Sequence, residues 1–250
     1  MRRCLAVCLI GLLMIGLTGE ALAAEPLKTA AELFAANPHP DVPLSSDPYM
    51  DATLWLVNKE NALPYDYVPE LRTVDVRLKP GLSAQQLRPE AASAVERLFA
   101  DAEAAGYQLA AVSGYRSYIT QKGIHARKVA QKGKATAELS SAPPGKSEHQ
   151  LGLAIDISCA SINYRLNAIF GDTDEGKWLY EHCWEYGFII RYKPEWQKIT
   201  GYKSEPWHIR YIGKEHARLV TQLNVPYETY MEYLSLCWKN RDRAMTGAIR

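Results

Sequence analysis

Two compact groups of residues in this chain carry the parts of a metal-assisted hydrolysis. The first is Ser147-Glu148-His149-Gln150-Leu151-Gly152-Leu153-Ala154-Ile155-Asp156, and the second, further along, is Glu205-Pro206-Trp207-His208. Two imidazoles and a carboxylate are enough to hold one divalent ion, because zinc in hydrolases takes three N/O protein ligands and leaves a fourth position for water. A second carboxylate beside such a site can take the proton from that water. Each residue alone has a plainer use, since a single histidine is more often a hydrogen-bonded structural residue and a single aspartate a cap or a solvent-facing group. It is the joint pattern that points to chemistry.

The spacing also says how the groups must be carried. Leu153 to Ser158 alternates, so as a strand it sends Leu153, Ile155 and Ile157 to one face and Ala154, Asp156 and Ser158 to the other, with Asp156 away from the core side. A continuous strand would leave His149 and Asp156 roughly 23 Å apart. Gly152 permits the turn that folds His149 back beside Asp156. Pro206 removes a donor and disfavours helix at Glu205, so Trp207 to Ile212 is read as a second strand. There Trp207, Ile209 and Tyr211 share one face and His208, Arg210 and Ile212 the other, which lets His208 reach the same ion while Glu205 lies just outside its ligand set.

Ser-x-His-x-x-Gly-x-Ala-x-Asp followed by Glu-x-Trp-His resembles the zinc D-alanyl-D-alanine carboxypeptidases related to the vancomycin-resistance enzyme VanY. The resemblance covers roughly Trp55 to Tyr233. It implies zinc held by His149, Asp156 and His208, with Glu205 as general base, and a small, mostly antiparallel sheet with flanking helices, the fold shared with hedgehog signalling domains. Ser113-Gly114-Tyr115-Arg116-Ser117 matches the family signature whose arginine lies in the active site. A guanidinium suits that place because it is permanently charged and offers a fork of donors to a carboxylate or an oxyanion. Ser147, which would otherwise be a cap or turn residue, is carried over as a substrate-binding residue, and Gln121 as a further residue of the cleft. The implied substrate is the stem peptide of peptidoglycan, cut near its D-alanine end. Within the same chemistry an L,D-carboxypeptidase or an endopeptidase stays open, because pocket shape sets specificity. A non-catalytic cell-wall binding module is the other alternative, against which Glu205 and Arg116 stand. A serine nucleophile is disfavoured, because neither Ser113 nor Ser147 has a Gly-x-Ser-x-Gly or Ser-x-x-Lys context.

With 250 residues the chain is long enough for one well-buried domain. Its formal net charge of +1 suggests no polyanionic partner such as nucleic acid. Arg2 and Arg3, the apolar run Cys4 to Leu17 and Ala21-Leu22-Ala23 read as a secretory signal over residues 1–23, with an apolar run too short for a stable membrane span. Its removal takes away Arg2, Arg3 and Glu20, so 29 basic and 28 acidic residues become 27 and 27. The mature protein is expected to be exported, either periplasmic or secreted to the cell envelope. Cys159, Cys183 and Cys237 would then remain, an odd number that permits one bridge and one free thiol, or no bridge, in a structural role.

The domain is expected over residues 55–238, between an arm over 24–54 and a basic tail over 239–250. The arm is read as loose or as a short helix around Ala30 to Ala36. Helical patterns cover Arg88 to Ala105, Tyr118 to about Gln131, Asp174 to Tyr186, Lys214 to Leu223 and Tyr227 to Trp238. Tyr107 to Val112 and Phe188 to Tyr192 read as strands, and Lys132 to Lys146 as a long loop, a wall or lid for the cleft. Strands and helices mixed without a regular βαβ rhythm make the fold class α+β. His39, His182 and His216 are assigned no chemistry.

Overall fold

The computed structural model describes residues 26–41 and 50–247, so the expected signal segment lies outside the described residues. The elements run α1 (Ala30–Ala36), β1 (Arg72–Thr73), β2 (Gln86–Leu87), α2 (Pro89–Ala104), β3 (Leu109–Ser113), α3 (Tyr118–Lys132), α4 (Lys134–Glu138), β4 (Ala154–Cys159), α5 (Asp174–His182), β5 (Phe188–Ile190), α6 (Gln197–Thr200), β6 (His208–Tyr211), α7 (Lys214–Leu223) and α8 (Tyr227–Gly247). Four strands form an antiparallel sheet in the order β3-β4-β6-β5, and β1 pairs with β2 in a separate ribbon. The class is α+β, as the mixed pattern predicts.

The helices begin where the sequence offers caps. Pro89 opens α2, the Ser117 hydroxyl accepts from the Thr120 amide at 3.2 Å at the start of α3, and the Thr173 hydroxyl accepts from the Gly176 amide at 3.0 Å at the start of α5. Helix α2 buries one stripe, Ala91, Val95, Leu98 and Ala102 among it, at the spacing of a single helical face. That stripe, with Trp178 and Leu179 of α5, covers the face of the sheet formed by Ile155, Ile157, Phe188, Ile190 and Ile209. The opposite face is covered by α7, α8 and α1, where Ile189 and Ile212 join Leu33, Val220, Tyr230 and Leu234. Strand β4 is therefore buried along its whole length. Asp156 does point away from the α2 core, but into a second covered layer, and it is only 4 % exposed.

Of the two readings of the arm the short helix holds: α1 at Ala30–Ala36 carries a complete capping box between Thr29 and Glu32, buries Leu33, and lies against α8, whose Tyr233 hydroxyl donates to the Asn37 carbonyl at 2.8 Å. Two other expectations change. The final helix runs past Trp238 to Gly247, because Lys239, Arg241 and Arg243 are good helix formers and no breaker intervenes. The stretch Lys132 to Lys146 is not all loop, since α4 occupies Lys134–Glu138. Cys159, Cys183 and Cys237 are all buried free thiols, so the no-bridge alternative holds. His39 is exposed, His182 is half-buried and pairs with Glu185, and His216 is buried against the Tyr230 hydroxyl at 2.7 Å; none of the three lines the cleft that His149, Asp156 and His208 share.

Candidate metal centre

Sheet register brings the site residues into one row. Ser113 of β3 stands opposite Asp156 of β4, which stands opposite His208 of β6. A bulge between Ala111 and Ser113 shifts the end of β3 and turns the chain toward the cleft. His149 arrives from a single 3-10 turn, Glu148–Leu151, ended by Gly152 in the left-handed region at φ 70°. The expected fold-back thus exists, and Gly152 is the residue that allows it. Gly114 is the second glycine with a strict role: a Cβ there would lie 2.7 Å from the Gln86 carbonyl oxygen, and its own carbonyl accepts from His149 Nδ1 at 2.7 Å.

That hydrogen bond leaves Nε2 of His149 to face Asp156 Oδ2 at 3.4 Å, while His208 Nδ1 faces Asp156 Oδ1 at 3.0 Å. The two rings meet edge to face with centroids 5.0 Å apart. One ligand atom from each of His149, Asp156 and His208 can be chosen so that all lie within 4.8 Å of one another, and all three residues are buried. Two imidazole nitrogens and one carboxylate oxygen at this separation match the donor set that a tetrahedral divalent ion takes with one position left over. The chemistry of the residues therefore fits zinc.

Glu205 lies on the turn before β6, fixed by its backbone: its amide donates to the Tyr192 carbonyl and its carbonyl accepts from the His208 amide, both at 3.0 Å. Its side chain lines the same cleft, about 240 Å³ in volume, as the three candidate ligands. Burial pushes the Glu205 carboxyl up to about 7, with the nearby His208 opposing. Asp156 is held well below the usual carboxylate range: burial opposes the charge, and His149 and His208 overcome it. His149 is pushed down to about 4, first by burial and then by Arg116. His208 goes the other way, up to about 9: burial opposes its charge, and hydrogen bonds to Asp156 and Glu148 outweigh burial.

Arg116 follows β3 and lies over the row, its Nη1 donating to Ser113 Oγ at 3.0 Å and reaching Asp156 Oδ2 at 3.4 Å. Among the described residues its Nε is buried without a partner, as are Ser141 Oγ and the Tyr202 hydroxyl in the same cleft. Each is a buried polar group of a cleft-lining residue that no other group among the described residues satisfies. Ser147 is 4 % exposed, makes no side-chain cap bond and lines the cleft. Gln121 does not line it: buried on α3, it donates through Nε2 to the Ala142 carbonyl at 2.7 Å. It thereby braces the segment after α4 that supplies Ser140, Ser141 and Ala142 to the cleft wall. Lys128 of α3 serves the same wall, donating to the Ser140 carbonyl at 2.6 Å.

Several residues of the site are not legible in the motif. Tyr192 and Tyr202 line the cleft, and the Tyr192 ring lies tilted against both His208, with centroids 5.2 Å apart, and Tyr202, with centroids 5.0 Å apart. Glu148 sits inside the first motif, and its carboxylate joins His208, Arg191 and Arg210 in a buried ionic cluster. Strand alternation, which puts Arg210 on the face of His208, is the signal that could have found Arg210. Nothing local in the sequence marks Arg191 or its partner Glu228.

Comparison with known proteins agrees with the geometry. The family model of VanY, D-alanyl-D-alanine carboxypeptidase, matches residues 84–214. A D-alanyl-D-alanine carboxypeptidase of Enterococcus faecalis is 34% identical over 215 residues, covering 79% of this chain and 73% of the relative. Among solved structures, the LdcB LD-carboxypeptidase is 46% identical with a TM-score of 0.69, over 72% of this chain and 86% of that one. The vancomycin-resistance D,D-pentapeptidase VanY, solved as a mutant in complex with Zn(II), is 35% identical with a TM-score of 0.62, over 72% and 99%.

Proposed function

The chain belongs to the VanY family of D-alanyl-D-alanine carboxypeptidases, and from that premise we propose that it is a zinc peptidase that hydrolyses the D-alanine end of peptidoglycan stem peptides. The observation that carries this reading is the convergence of His149, Asp156 and His208 beside Glu205 in one cleft. Held by those three residues, zinc supplies a Lewis acid and brings the pKa of water toward neutrality.

The chain's own groups account for the rest. Glu205, with its carboxyl pushed up to about 7, is poised to accept the proton of the attacking water and return it to the leaving amine. The Arg116 guanidinium, which lines the cleft beside Asp156, meets the developing oxyanion or the terminal carboxylate of the peptide. Ser147, Ser141 and Tyr202 offer hydroxyls to the backbone of the peptide. Gln121 acts from behind the wall.

The family points to the D,D-bond between two D-alanines. A second reading, removal of a single D-alanine from an L,D-bond, is favoured by the likeness to the LdcB LD-carboxypeptidase. Mass spectrometry of the products from defined pentapeptide, tetrapeptide and cross-linked muropeptides separates them. Loss of one alanine from the pentapeptide alone supports the first reading, cleavage of the tetrapeptide the second, and cleavage of the cross-link an endopeptidase. No cleavage of any of the three overturns the hydrolase. Such a substrate lies outside the cytoplasmic membrane, in keeping with the exported form expected from residues 1–23. Among the described residues no helix is long and apolar enough to cross a membrane.

A further inference from the structure

Glu148 is an acid held from several sides at once. Its carboxylate is fully buried, and Oε1 accepts from two guanidinium groups, Arg191 Nε at 2.8 Å and Arg210 Nη1 at 3.0 Å. Both arginines are themselves pinned. Arg191 places its remaining nitrogens on Glu228, Nη1 to Oε2 at 2.9 Å and Nη2 to Oε1 at 2.6 Å, and Arg210 Nη2 donates to the carbonyls of Thr53 and Trp55 at 2.9 Å each. Glu228 is steadied in turn by Asn58 Nδ2 at 3.3 Å. The cluster thus ties the 3-10 turn, β6, the end of β5, α8 and the 53–58 segment to one carboxylate.

With Oε1 held on two sides, Oε2 is left to His208 Nε2 at 3.2 Å. The two edges of the His208 ring therefore have different neighbours: Nε2 faces an acid locked inside the protein, and Nδ1 faces Asp156 at the cleft. Two arginines balance Glu148 and Glu228, so Glu148 meets the imidazole as a fixed acceptor more than as a free negative charge.

We propose that Glu148 is a positioning residue that holds the Nε2–H edge of His208 and, clamped by Arg191 and Arg210, turns Nδ1 to the metal. This rests on the metal-centre reading above. Outer partners of this kind fix which nitrogen of a histidine is free and how its ring lies. The inference extends the site from three ligands and a base to a buried shell that reaches α8.

Zinc affinity of the full chain, measured by competition against a chromophoric chelator, tests this in the wild type and in Glu148→Gln. The substitution keeps the shape and removes the carboxylate, and a loss of about 10- to 100-fold in zinc affinity is expected. Wild-type affinity in a folded Glu148→Gln protein overturns the proposal while leaving the metal centre standing. A wild-type chain that binds no zinc overturns both. Because Glu148→Gln leaves two buried arginines facing one acid and can fail to fold, imidazole nitrogen-15 shifts of His208 in the wild type supply a second measurement that needs no variant. On adding zinc the Nδ1 signal should move and Nε2 should remain protonated. Movement at Nε2 instead would falsify the assignment.

Discussion

The two faces of the four-stranded sheet solve the same burial problem in opposite ways. Under α2 and α5, Ile155, Ile157, Ile209, Phe188 and Ile190 exclude water with apolar surface alone. On the other face Asp156, His208 and Arg210 point into a layer where Glu148, Arg191 and Glu228 meet them. The first face tolerates many apolar sequences of similar volume, because its attraction is non-directional. The second holds only while every charge has its partner, since an unpaired buried ion is far less favourable than an apolar contact is favourable. The difference explains why the chemistry sits where it does. A sheet face already built from fixed charges can hold histidines and carboxylates at set distances without collapse around them.

The largest effect should come from the cleft on the charged face. Glu205→Ala removes the proposed base, whose carboxyl is raised by burial rather than lowered by a salt-bridge partner. Turnover of the preferred muropeptide should fall by about 10²- to 10⁴-fold, with thermal unfolding and zinc content unchanged. An active Glu205→Ala protein would assign the base elsewhere.

Arg191→Met should be the most damaging to stability. It leaves Glu148 and Glu228 buried with a cation fewer between them, and a loss of about 3–5 kcal/mol in urea unfolding is expected, together with weaker zinc binding. If the loss were under about 1 kcal/mol, the charged layer would be far less dependent on complete pairing than the structure implies.

The same layer should make the protein sensitive to acid. Glu148 and Glu228 are both held below their ordinary value of 4.5: burial opposes each charge and arginine overcomes it, so the unfolded chain binds more protons than the folded one. Their contribution is complete above that value and is lost as pH falls through the folded-state values. The urea midpoint, followed from neutral pH downward, should drop steeply in the wild type and less steeply in Arg191→Met.

The apolar face should respond more mildly and without touching the site. Ile157→Val removes one methylene from a fully buried position and should destabilise by about 0.5–1.5 kcal/mol while zinc affinity stays at the wild-type level. Smallest of all, Arg77→Ala breaks an exposed pair with Glu103 at 2.8 Å and should change stability by about 1 kcal/mol or less. A larger effect at Arg77 than at Ile157 would reverse the ranking of the two regions.

How much of the molecule is legible in its sequence depends on the range of the interaction. Helix α2 is written locally, in Pro89, a stripe of apolar residues and Gly106 beyond its end. The turn at Gly152 and the alternation of β4 and β6 are local too, so the three candidate ligands and Glu205 can be named from two short segments. The expected tail after Trp238 is helix through Gly247 instead, because charge alone does not end a helix, and what α1 packs against is not legible near it, because its partner, α8, lies far along the chain. Resemblance puts Gln121 in the cleft, whereas its rotamer carries it to the Ala142 carbonyl.

By itself the sequence determined the chemistry: which side chains can bind a metal, which can move a proton, and which face of each strand presents them. Strand periodicity and glycine at a positive φ are properties of a few consecutive residues, and they survive without the rest of the molecule. Only the tertiary structure decided which of the remaining charges belong to the site. Glu148, Arg191, Arg210 and Glu228 are joined by bonds between residues as far as 62 apart in the chain, and although strand alternation puts Arg210 on the face of His208, no local pattern pairs the four. What selects them is burial, because in a layer closed to water each charge must find its partner from whatever element the fold brings within reach.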